Sequence, residues 1–206
     1  MDTAVALVQA YLHVNGYFTV AEYPVMEVGG HGEGRSVTDL DILAFRFAHA
    51  GHEIVRTGDH PPLTHELLRP DPALGCPSDG PDMIVGEVKE GTARFNQALR
   101  NPLVLEIALA RFGCCPPGRT HRLVQELLST GSAMTPAGHS VRLVAFGDEA
   151  AAGVVDHGRS VSMRHVVRFL RSYLKRHWKV LRHAQLRDPG LCVLALLEKW
   201  GVDDAP

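Results

Sequence analysis

Two apolar runs constrain this chain more than anything else in it, because each carries acids where a buried strand should carry none. In Pro81-Asp82-Met83-Ile84-Val85-Gly86-Glu87-Val88-Lys89-Glu90-Gly91, residues 83–85 are apolar and Glu87 and Lys89 then flank Val88. Side chains two apart in a strand share a face. A strand here therefore aims a carboxylate and an ammonium at one spot while Val88 packs on the other side. Upstream, Val37-Thr38-Asp39-Leu40-Asp41-Ile42-Leu43-Ala44-Phe45 reads the same way, with Asp39, Asp41 and Leu43 on one face and Leu40, Ile42 and Ala44 on the other. An unpaired charge in an apolar setting is costly, so two such strands imply a shared use for their acids. A cation between Asp41 and Glu87 would relieve their repulsion, and hard divalent cations take oxygen ligands.

The rest of the chain supplies the frame. Asp2 or Thr3 caps a helix with apolar positions Ala4, Val5, Val8, Tyr11 and Leu12, ended by Asn15-Gly16. Tyr17 to Val28 is a first strand, residues 29–34 a glycine-rich hairpin connection, and Arg35 to Phe47 the second strand. Residues 48–81 hold six of the thirteen prolines, too many for regular structure, and form a long insertion before the Glu87 strand. A helical segment follows from Thr92 to Phe112, broken at Asn101-Pro102, then a helix from Arg119 to Thr130. Val141 to Gly147 is the next strand, Val154-Val155 a short edge strand, Ser162 to Leu186 a long helix, and Asp188-Pro189 caps a last one. The order is α-β-β-β-α-β with one additional helix before the final core strand, an α/β class.

Asp41 within Asp39-Leu40-Asp41-Ile42-Leu43-Ala44, followed in the next core strand by Glu87-Val88-Lys89, resembles the PD-(D/E)XK nuclease superfamily, closest to the branches related to archaeal Holliday-junction resolvases. The likeness covers residues 1–148. It implies a restriction-endonuclease-like core with a mixed central sheet over residues 1–158, with 48–81 inserted, and residues 159–206 as a C-terminal helical extension. It also implies metal-dependent hydrolysis of phosphodiester bonds, with DNA the expected substrate. Asp41, Glu87 and the Val88 carbonyl would hold Mg2+ or Mn2+, and Lys89 would stand beside the attacking water. Asp39, Glu22, Gln9 and Gln97 are accessory candidates. Gln9 stands near a first-helix position where resolvase-like relatives carry an acid. Gln97 follows the site, where some relatives use a polar residue. Asp82 invites a false match, since the acid of the family's "PD" belongs to the earlier strand. The alternative function is a catalytically inactive nuclease-like module that binds nucleic acid or protein.

Charge points to a partner. Residues 1–156 carry 11 Lys/Arg against 19 Asp/Glu, whereas 157–187 carry 9 Lys/Arg and no acid. Arg164, Arg168, Arg171, Lys175, Lys179 and Arg182 recur every three or four residues along one face of the long helix. Nucleic-acid phosphates would suit them, as would the acidic body of the same chain or of a second copy in a homodimer. Cys76, Cys114, Cys115 and Cys192 form no framework spacing, and no apolar run reaches membrane-spanning length. The expected setting is a reducing cytoplasm.

Overall fold

The computed structural model describes residues 2–28, 34–50, 53–55, 63–65, 70–77, 80–148, 157–183, 186 and 188–202. Its first half contains α1 (Thr3–Val14), β1 (Phe18–Val28), β2 (Gly34–Arg46), β3 (Glu53–Val55), β4 (Leu63–His65), a 3-10 turn (Pro72–Leu74) and β5 (Asp82–Thr92). Its second half contains α2 (Pro102–Phe112), α3 (Pro117–Thr130), β6 (Ser132–Met134), β7 (Ser140–Asp148), β8 (Arg159–Ser162), α4 (Met163–Leu181) and α5 (Pro189–Lys199).

The main sheet is mixed and runs β1-β2-β5-β7-β6, with β8 also on β7. β1, β2 and β5 pair antiparallel, while β5 and β7 run parallel. Parallel neighbours need a crossover connection, and α2 and α3 supply it. β6 and β8 divide the far edge of β7, β6 against residues 140–142 and β8 against 144–147. The alternation of β5 splits the core in two. Met83 and Val85 face α2 and α3, packing with Val104, Leu105, Leu109, Val124 and Leu127. Ile84 and Val88 face α1, α4 and α5, packing with Val8, Leu12, Val166, Leu170 and Leu191. Among the described residues, no helix is long and apolar enough to cross a membrane.

Local chemistry sets the helix ends. Asp2, Asn101, Ser162 and Asp188 each accept a backbone N–H in the first turn of α1, α2, α4 and α5. α2, α3 and α5 begin with proline, where its missing N–H costs nothing. Gly147 is required by a close approach, because a Cβ there would meet the Gly91 carbonyl oxygen at 2.6 Å and Ala93 N at 2.7 Å. That contact lets residues 91–93 cross the end of β7 and turn down onto the α2/α3 face.

The structure departs from the sequence-based expectations at several points. Residues 92–101 are not helical: Thr92 ends β5, and 97–100 form a turn in which Asn96 Oδ1 accepts the Leu99 N–H at 2.8 Å. The insertion at 48–81 contains regular structure after all, the antiparallel β3–β4 pair and the 3-10 turn. β6 and β8 went unforeseen. The long helix ends at Leu181, short of Leu186. The expected strand at Val154-Val155 and most of the 29–34 connection lie outside the described residues.

Leu40 is also on a different face from the one expected. It packs with Leu43, Met83 and Val85, while Ile42 and Ala44 join the opposite cluster. Alternation is thus interrupted at Asp41. Pairing of β2 with β5 stops at Ile42–Gly86, and on the β1 side Glu22, between the Ala21–Ile42 and Tyr23–Leu40 pairs, has φ 51°.

One polar cluster ties α1, the 70–75 segment and α4 together. Asp71 accepts from Tyr11 Oη at 2.7 Å and from the Ala73 N–H at 2.9 Å, and lies 2.5 Å from His165 Nε2. Its own N–H donates to Asn15 Oδ1 at 2.7 Å. Burial alone would raise the Asp71 pKa, but the hydrogen bonds from Tyr11, Ala73 and His165 outweigh it and hold the carboxyl below its ordinary 3.8. A depressed carboxyl pKa stabilises the fold above the unfolded value and loses that contribution as pH falls through the folded one. Asp71→Asn is therefore expected to lower stability by about 1–3 kcal/mol at pH 7, with the difference shrinking below about pH 4. Urea unfolding of both proteins at pH 7 and pH 3.5 checks this, and an equal difference at both would contradict it.

Candidate active site

Glu87 continues the Met83–Val85 side of β5, so its carboxylate points to the α2/α3 face with Lys89 beyond it. The Glu87 side chain is 1% exposed, whereas those of Lys89 and Asp41 are 33% and 27% exposed. The Lys89 ammonium contacts Glu87 Oε1 directly and lies 3.9 Å from Asp41 Oδ2. Asp41 Oδ2 in turn accepts the Val88 N–H at 2.8 Å. The interruption in β2 explains this bond: past Ile42–Gly86 no strand carbonyl meets Val88, and the Asp41 side chain takes its place. A strand residue's N–H and C=O share an edge, so the Val88 carbonyl faces the Asp41 side as well. Residues 47 positions apart thus meet within reach of Lys89.

Burial raises the Glu87 pKa and the neighbouring Asp41 charge raises it further, while hydrogen bonds from Lys89 and Asn96 work the other way; the net shift is upward. Asn96 is a residue that sequence reasoning missed. Its Oδ1 is committed to the Leu99 N–H, which turns its amide NH2 toward Glu87. No spacing rule marks it, since its position depends on the turn at 97–100 replacing a helix.

Beside Lys89 opens a cleft of about 1140 Å³ whose wall includes Arg94, Asn96, Gln97, Arg100 and Asn101. Gln97 is on the cleft wall. The other accessory candidates do not line it. Gln9 sits on α1, on the opposite sheet face, and donates to Thr19 Oγ1 at 3.2 Å. Asp39 is solvent-exposed opposite Pro24. Glu22 is exposed across the β1–β2 ladder from Asp41.

The basic row is divided too. Arg164, Arg168, Lys175, Lys179 and Arg182 are exposed, but Arg171 is only 9% exposed and donates from Nη2 to the Val202 carbonyl at 2.6 Å. The segment following α5 covers it. α4 packs on the face opposite the cleft, so none of this row borders Asp41, Glu87 or Lys89.

Asp82 begins β5 fully buried and paired with Arg142, apart from the cleft. Among the described residues, no three His, Cys, Asp or Glu side chains gather as a metal cage. Two carboxylates and a carbonyl nevertheless suit magnesium, which keeps several waters and needs only one or two carboxylates.

Fold and site together define an α/β protein with a paired-carboxylate and lysine cluster at an open cleft. No family model, curated protein or solved structure matches this chain.

Proposed function

We propose that the protein is a metal-dependent nuclease that hydrolyses phosphodiester bonds in DNA, with a restriction-endonuclease-like core. The observation that carries this reading is the meeting of Asp41, Glu87 and Lys89 beside a cleft walled by Arg94 and Arg100. The order α1-β1-β2-β5, then α2 and α3, then β7 also supports it. Asp41, Glu87 and the Val88 carbonyl would hold Mg2+ or Mn2+, which would neutralise charge developing on the scissile phosphate.

The chain's own groups do the rest. Asn96 keeps the Glu87 carboxylate oriented. Lys89, on a flexible stem and partly exposed, orients the attacking water and stabilises the anion as it forms. Arg94 and Gln97 on the cleft wall contact the flanking phosphates. The second reading, a nuclease-like binding module without activity, draws on the exposed cations of α4, which lie away from the cleft.

Labelled DNA and RNA substrates incubated in magnesium or manganese separate the two readings. Cleavage that requires metal and disappears in both Asp41→Ala and Lys89→Ala supports the enzyme. Cleavage that survives both substitutions, or none at all by the unaltered protein, sinks it.

A further inference from the structure

The exposed cations of α4 have no use in the cleavage site, and they are not balanced by acids among the described residues. Arg164, Arg168, Lys175, Arg176 and Lys179 are all exposed and form no ion pair with any described residue. The described acids of residues 1–156 are therefore not what balances them. From Arg164 to Lys179 the row runs about 22 Å, the length of roughly six base pairs. The apolar stripe of the same helix, Val166, Leu170 and Leu174, is fully buried against the sheet. Among the large apolar side chains of α4 only Val180 is exposed, so the helix lacks the broad apolar face that entry into a lipid surface requires.

The row also lies a full helix thickness, roughly 10–12 Å, and the sheet itself away from Lys89. Whatever it holds is not the phosphate next to the reacting one. We propose that the exposed face of α4 is a separate docking surface for the sugar-phosphate backbone of duplex nucleic acid, across the sheet from the Asp41–Glu87–Lys89 cleft. It supplies sequence-independent, salt-sensitive affinity. The proposal does not depend on cleavage and stands equally for a binding module.

The test is equilibrium binding of a fluorescent duplex of about 20 base pairs, without added metal, over a range of salt concentrations. The full-length protein is compared with a variant combining Arg168→Ala, Lys175→Ala and Lys179→Ala. These side chains are exposed and make no ion pair with described residues, so the variant is expected to keep its melting temperature, which is measured alongside. Affinity is expected to fall at least tenfold at low salt, and the slope of log affinity against log salt to drop by about three. Lys89→Ala removes at most one phosphate contact, so it changes the slope by no more than about one. Loss of docking and loss of cleavage are therefore read separately. Unchanged affinity and slope in the triple variant overturn the proposal. So does binding of the unaltered protein to phosphatidylserine vesicles but not to the duplex, or self-association without nucleic acid that the triple variant abolishes.

Discussion

Glu87→Gln is expected to abolish metal-dependent cleavage while leaving the melting temperature unchanged or slightly higher. The two halves of this result come from one cause. A carboxylate that is 1% exposed and feels the Asp41 charge is held ionised at a cost, and burial above all raises its pKa. An acid whose pKa rises on folding penalises the folded state above its ordinary value of 4.5, and the penalty is full once pH exceeds the folded value. Glutamine keeps the shape and the hydrogen-bonding reach and removes the charge. Its stabilising effect should therefore be larger at pH 8 than at pH 5. Lys89→Ala acts oppositely on the fold, since it leaves Asp41 and Glu87 facing each other without the ammonium. Both substitutions are expected to cost roughly 100- to 1000-fold or more in single-turnover cleavage. Thermal unfolding at both pH values, beside single-turnover rates, checks the pair. If Glu87→Gln unfolds several degrees lower at pH 8, the Glu87–Lys89 contact is a structural ion pair and the cleavage reading loses its main support.

Much of this was legible in the sequence because it is local. Asp2, Ser162 and Asp188 are helix caps that a short window reveals, and the two-residue period that places Glu87 and Lys89 together needs only β5 itself. What escaped depends on other parts of the chain. The face of Leu40 could not be read by alternation, because alternation is interrupted at Asp41, where a side chain replaces a ladder carbonyl. The positive φ of Glu22 carries no glycine to announce it. Residues 92–101 have helix-compatible composition, yet the crossing over Gly147 and the Asn96 bond to Leu99 hold them in another course. Arg171 has the spacing of its exposed neighbours and is buried only because residues after α5 return over it. The mixed α/β class survived these errors because each displaced a segment without changing which strands pair.

Arg142→Ala is expected to be the most destabilising substitution of a polar residue, by about 3–5 kcal/mol, a large share of an ordinary domain's 5–15 kcal/mol. Arg142 on β7 donates from Nε to Asp82 Oδ1 at 2.9 Å and from Nη2 to Asp82 Oδ2 at 2.6 Å. Its Nη1 donates to the Leu74 carbonyl at 2.5 Å. Tyr17 Oη donates to the same Asp82 carboxylate at 2.5 Å. One guanidinium thereby links β5, β7, the 3-10 turn and the start of β1. Burial works against its charge, but Asp82 more than offsets this and raises the Arg142 pKa. Truncation leaves the Asp82 carboxylate, 0% exposed, without its cation, and an uncompensated buried charge is what makes the loss large. Lysine does not rescue it, because a single ammonium cannot make the bidentate pair and reach Leu74. A double replacement, Asp82→Leu with Arg142→Met, removes both charges and is expected to recover much of the loss. Chemical denaturation of the single and double variants measures the coupling. A double variant no more stable than Arg142→Ala would mean that the hydrogen bonds to Leu74 and Tyr17, rather than the stranded charge, set the cost.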